Sequence, residues 1–153
     1  MPCPQAHPRP RVDCPDLSGQ PYRPGVSRRS LDSAAVSALV ASINTGEELD
    51  RTALRDVVRA LLDELRRRAP GRTVEVRIPP FGAIQCVAGP THTRGTPPNV
   101  IETDPVTFVL LAAARLAWSD AVQQGRVSAS GVRADLTPYL PLVELTGESA
   151  SGN

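Results

Sequence analysis

The 153-residue sequence contains no lysine, few aromatic residues and no long apolar run. All 17 basic residues are arginines, which excludes chemistry that needs a lysine amine, such as a Schiff base or a P-loop phosphate site. Aromatic residues make up 3% of the chain, too few to provide platforms for base stacking, and a net charge of +1 gives no general attraction to nucleic acid. Nucleic acid is therefore not an expected partner.

Segments that would place the protein in a membrane or outside the cell are also lacking. The longest apolar run, Val106 to Ala114, stops at an arginine, well short of the roughly 20 residues that a membrane-spanning helix requires. The first residues are proline-rich and polar, unlike a secretory signal. Three cysteines, Cys3, Cys14 and Cys86, make no disulfide framework. We expect a cytoplasmic protein with no integral membrane segment.

Proline content divides the chain into tails and a folded region. Residues 1–30 hold seven prolines among arginines and polar side chains, a composition that buries too little apolar surface to offset the entropy of ordering. We predict a disordered tail over 1–30, a domain over 31–142 with a helical extension at 31–50 and a core at 51–142, and a second disordered tail over 143–153. Cys3, His7 and Cys14 fit no zinc-module spacing, so free thiols are favoured over a metal site.

Apolar periodicity predicts two helices before residue 70. The first follows a capping Asp32, repeats apolar residues at i, i+3, i+4 and i+7, and ends at Gly46. The second follows Asp50, and its apolar stripe comprises Leu54, Val57, Val58, Leu61, Leu62 and Leu65. Arginines at 51, 55 and 59 form either a basic stripe for an acidic partner or a solvated face; the interleaved acidic residues favour the solvated face.

Alternating apolar residues predict a sheet in the second half of the chain. Strands are expected at Val74–Ile78, 81–87, 100–103 and 126–130, with the first two pairing antiparallel. A helix should begin after Asp104, which can cap it, with Pro105 at its first position. A shorter helix should begin at Ser119 and end at Gly125. The pattern predicts an antiparallel sheet with helices on one face.

These boundaries carry a resemblance to a known family. The Asp104-Pro105-x-x-Phe108 helix, the short helix ending in glycine, the V-S-A-S-G strand and a Leu-rich terminal segment resemble the C-terminal half of the sterol carrier protein fold. Residues 52–142 resemble an actinobacterial group of bacterial sterol carrier orthologues, most specifically in the segment PPFGAIQCVAGPTHTRGTPPNVIETDP. The resemblance implies an α+β fold in which helices cover one face of an antiparallel sheet. The sequence departs from the broader family in two places. Ala114-Arg115 stands where a glycine often precedes the second helix, and Gly131 is followed by Val132 rather than by an acidic residue or asparagine.

The resemblance also implies a function. Proteins of this fold include non-catalytic binding or carrier proteins for apolar or amphipathic small molecules of lipid, sterol or acyl type. The apolar cavity of such carriers lies between the sheet and the C-terminal helices, and here it would be lined by Phe108, Val109, Leu116, Trp118, Val122, Leu136 and Leu140. The same side chains would equally fill a compact core. The alternative function is an accessory or partner protein of a small-molecule enzyme, because the fold resembles the C-terminal domain attached to mycothiol-dependent maleylpyruvate isomerase-type enzymes.

One polar loop offers recognition chemistry. In the segment THTRGTPP and the asparagine that follows it, Arg94 presents a planar donor fork for an anion, and neutral groups surround it; the predicted set is His92, Thr93, Arg94 and Asn99. A plain surface loop is the alternative. A Cys86–His92 pair is conceivable as a nucleophile and base, but a buried strand cysteine explains Cys86 better. No motif for catalysis or for a metal or other cofactor is found, so we expect no enzymatic activity and no cofactor.

Overall fold

The computed structural model of the protein describes residues 31–90 and 99–145. The predicted tail at 1–30, most of the second tail and the loop at 91–98 lie outside these described residues. The elements in chain order are α1 Ser33–Thr45, α2 Arg51–Arg68, β1 Val74–Ile78, β2 Gly82–Cys86, β3 Val100–Thr103, α3 Pro105–Ala112, α4 Trp118–Gln123, β4 Val127–Ser130 and a 3₁₀ turn at Thr137–Tyr139.

Three aspartates begin helices as the sequence predicts. The carboxylate of Asp32 accepts a hydrogen bond from the N–H of the second helical residue of α1 at 2.9 Å, and Asp50 does the same for α2 at 2.9 Å. Asp104 caps α3 by accepting from the Thr107 N–H at 2.9 Å. Each bond satisfies a backbone donor that the helix itself cannot pair. The start of α4 was predicted at Ser119, and the helix begins at Trp118 without a side-chain cap.

Three helices end in the same way. Gly46 after α1, Ala114 after α3 and Gly125 after α4 all have positive φ, at 70°, 54° and 69°. In each case the positive-φ residue and the next one donate their N–H groups to carbonyls of the last turn, the Schellman arrangement. The bonds are Gly46 N to Ile43 O, Glu47 N to Ser42 O, Ala114 N to Leu111 O, Arg115 N to Leu110 O, Gly125 N to Val122 O and Arg126 N to Ala121 O. Two of the three residues are the glycines that the sequence identifies.

The sheet has the strand order β2-β1-β3-β4. β1 pairs antiparallel with β2 and β3 pairs antiparallel with β4, but β1 and β3 run parallel. The predicted α+β class is confirmed, and the sheet is mixed rather than wholly antiparallel. The reason lies in where the chain leaves and re-enters the sheet. Cys86, the end of β2, lies opposite Val74 at the start of β1, and Val100 also joins that end, so β3 starts beside the start of β1.

Helices cover one face of the sheet. The inward side chains of β1, Val74, Val76 and Ile78, are fully buried, whereas Glu75 and Arg77 between them lie on the open face. The helical side of the core is built by the apolar stripe of α2, by α1 and by α3, and its most buried members are Val36, Val58, Leu61, Leu65, Phe108 and Val109. Val143 is also buried, beyond the predicted domain end at residue 142, and its N–H donates to the Ala112 carbonyl at 3.1 Å.

Candidate functional site

The side chains predicted to line a cavity are divided between the core and the surface. Phe108, Val109 and Leu136 are buried, with at most 2% of each residue exposed. Their burial places them in the same cluster as the α2 stripe and the inward strand residues. Buried side chains in contact with one another are expected both in a packed core and in the wall of a small internal cavity, so their burial does not distinguish the two. An internal cavity here stays a prediction.

The other predicted lining residues lie nearer to solvent. Leu116, Trp118 and Leu140 are partly buried and pack against the core from outside. Val122, on α4, is 41% exposed. α4 therefore presents Trp118 toward the core edge and Val122 toward water.

A groove beside the C-terminal segment combines apolar and charged groups. We call it the C-terminal groove. Its volume is about 840 Å³, within the range of small-molecule sites. Its lining consists of Leu31, Glu64, Arg68, Pro138, Tyr139, Leu140, Pro141, Leu142, Val143 and Glu144. Leu140 is the member of the predicted cavity set that lines this groove.

One wall of the groove is tied to the helices by main-chain hydrogen bonds. The guanidinium of Arg68, on α2, donates to the Pro141 carbonyl at 2.5 Å and to the Leu142 carbonyl at 2.7 Å. On the other side of the segment, the N–H of Leu142 donates to the Ala112 carbonyl at the end of α3, at 2.8 Å. These bonds fix an irregular segment that has only one short 3₁₀ turn of its own. The hydrogen bonds therefore hold residues 141 and 142 of the groove lining in place against α2 and α3.

The lining of the groove includes an ion pair. Glu64 accepts from Arg68 Nε at 2.7 Å, and Arg67 reaches the same carboxylate at 2.5 Å. The hydrogen bond from Arg67 lowers the pKa of Glu64, with Arg68 adding to the effect, so the carboxylate stays ionised at neutral pH. The sequence shows this pair as a favourable i, i+4 contact on a solvated helix face. That spacing predicts an ion pair on a solvated face, and it gives no indication of the C-terminal segment that packs over the pair.

Of the predicted polar loop set, His92, Thr93 and Arg94 lie outside the described residues. Asn99 is buried, and both ends of its amide are engaged by the backbone. Its nitrogen donates to the Thr73 carbonyl at 3.0 Å, and its oxygen accepts from the Arg133 N–H at 3.0 Å. The amide therefore joins the start of β1 to the chain after β4.

Cys86 is a buried, free thiol on β2. Burial raises its pKa to about 11, so the thiol is protonated at neutral pH. This environment suits a small apolar side chain rather than a nucleophile. Among residues 31–90 and 99–145, no cluster of three or more His, Cys, Asp or Glu side chains could hold a metal ion. No helix in the same part of the chain has the length and apolar character to cross a membrane.

Residues 50–142 match the protein family described as bacterial SCP ortholog, where SCP stands for sterol carrier protein. The match covers more than half of the chain, and the protein belongs to this family. At the level of the family, membership suggests a lipid-binding carrier role, generally without catalysis. No curated protein matches the sequence.

Proposed function

We propose that the protein binds an apolar or amphipathic small molecule of lipid, sterol or acyl type and carries it unaltered in the cytoplasm, without a cofactor. The C-terminal groove receives the ligand. Family membership supports the ligand class. The observation that carries the location is the combination of Leu31, Tyr139 and Leu140 with the Glu64–Arg68 ion pair in one groove of about 840 Å³.

The groove suits an amphipathic molecule because its lining contains both apolar and charged side chains. An acyl chain or ring system would cover the side chains of Leu31, Tyr139 and Leu140, at about 25 cal/mol for each Å² of apolar surface removed from water. Arg68 uses its Nε and one hydrogen on each Nη for Glu64, Pro141 and Leu142. Its remaining N–H groups supply donors for a carboxylate or hydroxyl headgroup.

The test is the uptake of a fluorescent fatty-acid probe by the full chain, measured with two variants. Leu140→Asp places a charge in the groove and should weaken probe binding at least tenfold while the fold persists, since Leu140 is only partly buried. Val132→Asp is the matched control, because Val132 is fully exposed and lies outside the groove lining. Its probe affinity should equal that of the wild type.

A third variant separates the groove from the predicted internal cavity. Trp118→Ala should leave probe uptake intact if the ligand lies in the C-terminal groove, because Trp118 is not part of its lining. Loss of uptake in Trp118→Ala would move the ligand to the predicted cavity, because Trp118 belongs to the predicted cavity lining and not to the groove lining. A wild-type protein that takes up no probe would contradict the carrier function and favour the accessory-partner alternative.

A further inference from the structure

β2 lies at one edge of the sheet. Among residues 31–90 and 99–145, β1 is the only strand hydrogen-bonded to it, so its other side is unpaired within that part of the chain. The Glu75 N–H donates to the Asn99 carbonyl, so Glu75 points its backbone groups toward β3. Because these directions alternate along a strand, Val76 points toward β2 and pairs there with Ile84.

The same alternation leaves two residues of β2 with outward backbone groups. Ala83 and Gln85 flank Ile84, so their N–H and C=O groups point away from β1. No other described backbone group is hydrogen-bonded to them. An added strand would find two donors and two acceptors at this edge.

Arginines stand on both sides of this edge. A groove of about 620 Å³ runs beside β2, and we call it the β2 edge groove; its lining is Arg66, Pro70, Gly71, Arg72, Glu75, Ala83, Ile84 and Gln85. Arg66 belongs to the last turn of α2, on the helix-covered face. Arg72 lies on the open face, where its Nε donates to the Gln85 side-chain oxygen at 3.0 Å.

The groove is basic after its own ion pairs are counted. Its one acidic residue, Glu75, is bound to Arg77 at 2.6 Å. Arg66 makes no ion pair with any residue in the described part of the chain. The exposed guanidiniums of Arg66 and Arg72 are therefore uncompensated within the groove.

Charge argues against two of the segments that could occupy the β2 edge groove. The N-terminal segment 1–30 contains five arginines and two aspartates, so it carries the same sign as the groove. If a second copy of the chain paired with β2 through its own β2, Arg66 and Arg72 of one copy would lie close to Arg66 and Arg72 of the other. An acidic segment has the complementary sign, and like-charge contacts act against the other two.

We propose that the β2 edge groove binds an extended acidic segment of a partner protein by strand addition. Backbone groups of the segment pair with Ala83 and Gln85. Side chains alternate between the two faces of a strand, so two neighbouring acidic residues reach Arg66 on the helix side and Arg72 on the open side. The interaction is independent of the lipid site.

The probe is an acetylated and amidated peptide of sequence Thr-Val-Thr-Glu-Glu-Val-Thr, titrated into the isotope-labelled full chain. Amide hydrogen exchange of Ala83 and Gln85 should slow on binding, because their N–H groups become hydrogen-bonded. The same peptide with Gln-Gln in place of Glu-Glu should bind about two- to thirtyfold more weakly, the range expected for two exposed ion pairs. Equal affinity for both peptides, or no slowing at these amides, would overturn the proposal.

Two proline variants test the backbone pairing. Ala83→Pro removes an outward N–H, which an edge strand tolerates, and should abolish peptide binding while the circular dichroism spectrum is retained. Ala129→Pro is the matched control on the opposite edge: it faces Ile101, which points toward β1, so its N–H also points outward. This variant should bind the peptide as the wild type does. Unchanged binding by folded Ala83→Pro would overturn strand addition at β2.

Charge reversal tests the arginines. Arg66→Glu should weaken binding of the Glu-Glu peptide about two- to thirtyfold, because it replaces one exposed ion pair by a like-charge contact of similar magnitude. Arg51→Glu makes the same change at the other end of α2, about 22 Å away along the helix axis, and should leave binding unchanged. Equal weakening in both would show general attraction rather than a site. A wild-type dimer that Ala83→Pro dissociates, seen by analytical ultracentrifugation, would assign the edge to a second copy and overturn the acidic-partner proposal.

Discussion

Replacing Ala114 by glycine should stabilise the protein. Ala114 closes α3 with φ at 54°, in the same Schellman arrangement in which Gly46 and Gly125 close α1 and α4. A side chain in this left-handed region costs about 1–2 kcal/mol, and a glycine there costs about 0.5–1 kcal/mol through the greater freedom of the unfolded chain. Ala114 is exposed, so its methyl group contributes little packing. The middle values of these two ranges differ by roughly 0.75 kcal/mol, which is the predicted gain for Ala114→Gly.

The reverse substitutions provide the control. A Cβ added to Gly46 or Gly125 would have no atom within 4 Å, so Gly46→Ala and Gly125→Ala change backbone strain and the freedom of the unfolded chain without changing packing. Each should lower the free energy of unfolding by about the amount that Ala114→Gly raises it. Urea unfolding followed by circular dichroism measures all three, and the melting temperature of Ala114→Gly should rise by about 2–5 °C. A neutral or destabilising effect of Ala114→Gly, together with a loss of stability in Gly46→Ala and Gly125→Ala, would refute the prediction. In that case the left-handed backbone of Ala114 does not carry the energetic cost that its φ implies.

Three further predictions concern the β1–β2 region and the start of α3. Gly71→Ala should cost more than about 2 kcal/mol or prevent folding, since the added Cβ would lie 2.1 Å from the Val87 carbonyl oxygen at a φ of 146°; expression and thermal melting measure this. Asp104→Ala should lower the free energy of unfolding by about 1–2 kcal/mol by removing the acceptor of the Thr107 N–H, whereas Asp104→Asn should retain most of it. Burial raises the pKa of Cys86 to about 11, so the unfolded chain loses the thiol proton first as the pH rises. The stability that comes from burying the neutral Cys86 thiol is fully present below about pH 9 and is lost by about pH 11. Urea unfolding between these pH values should show a free energy of unfolding that falls less steeply with pH in Cys86→Ala than in the wild type.

Local chemistry made much of the fold predictable. Aspartates at 32 and 104 and glycines at 46 and 125 mark helix ends by mechanisms that act within a few residues, and all four are confirmed. The helix predicted after Asp50 is also confirmed, and the structure adds the capping role of that aspartate. Ala114 ends a helix without any such signal, because its left-handed conformation is imposed by the carbonyls of α3 and not by its own preference. The parallel pairing of β1 with β3 was not predictable from alternation, since the same pattern of side chains suits either strand direction.

The candidate site depends on contacts between distant parts of the chain. Glu64 and Arg68 are recognisable as a pair, but Arg68 also holds carbonyls of residues 141 and 142, and no local pattern encodes that contact. The sequence predicts Asn99 to be part of a polar recognition loop because it follows a segment that contains several threonines. The structure buries its amide between two backbone groups, a use that composition alone does not distinguish from ligand binding.

The helix α1 has a consequence for how this domain would be divided. The part shared with the family begins at residue 50, yet Val36, Leu39 and Val40 of α1 are buried in the same core as α2 and α3. A chain beginning at Asp50 would keep β1 to β4 but would lose α1. The apolar surfaces of α2 and α3 that α1 covers would then be exposed to water. The shortened chain would be expected to gather into soluble oligomers or precipitate, because the uncovered surface is apolar. For this protein the region matched by the family and the folding unit have different first residues.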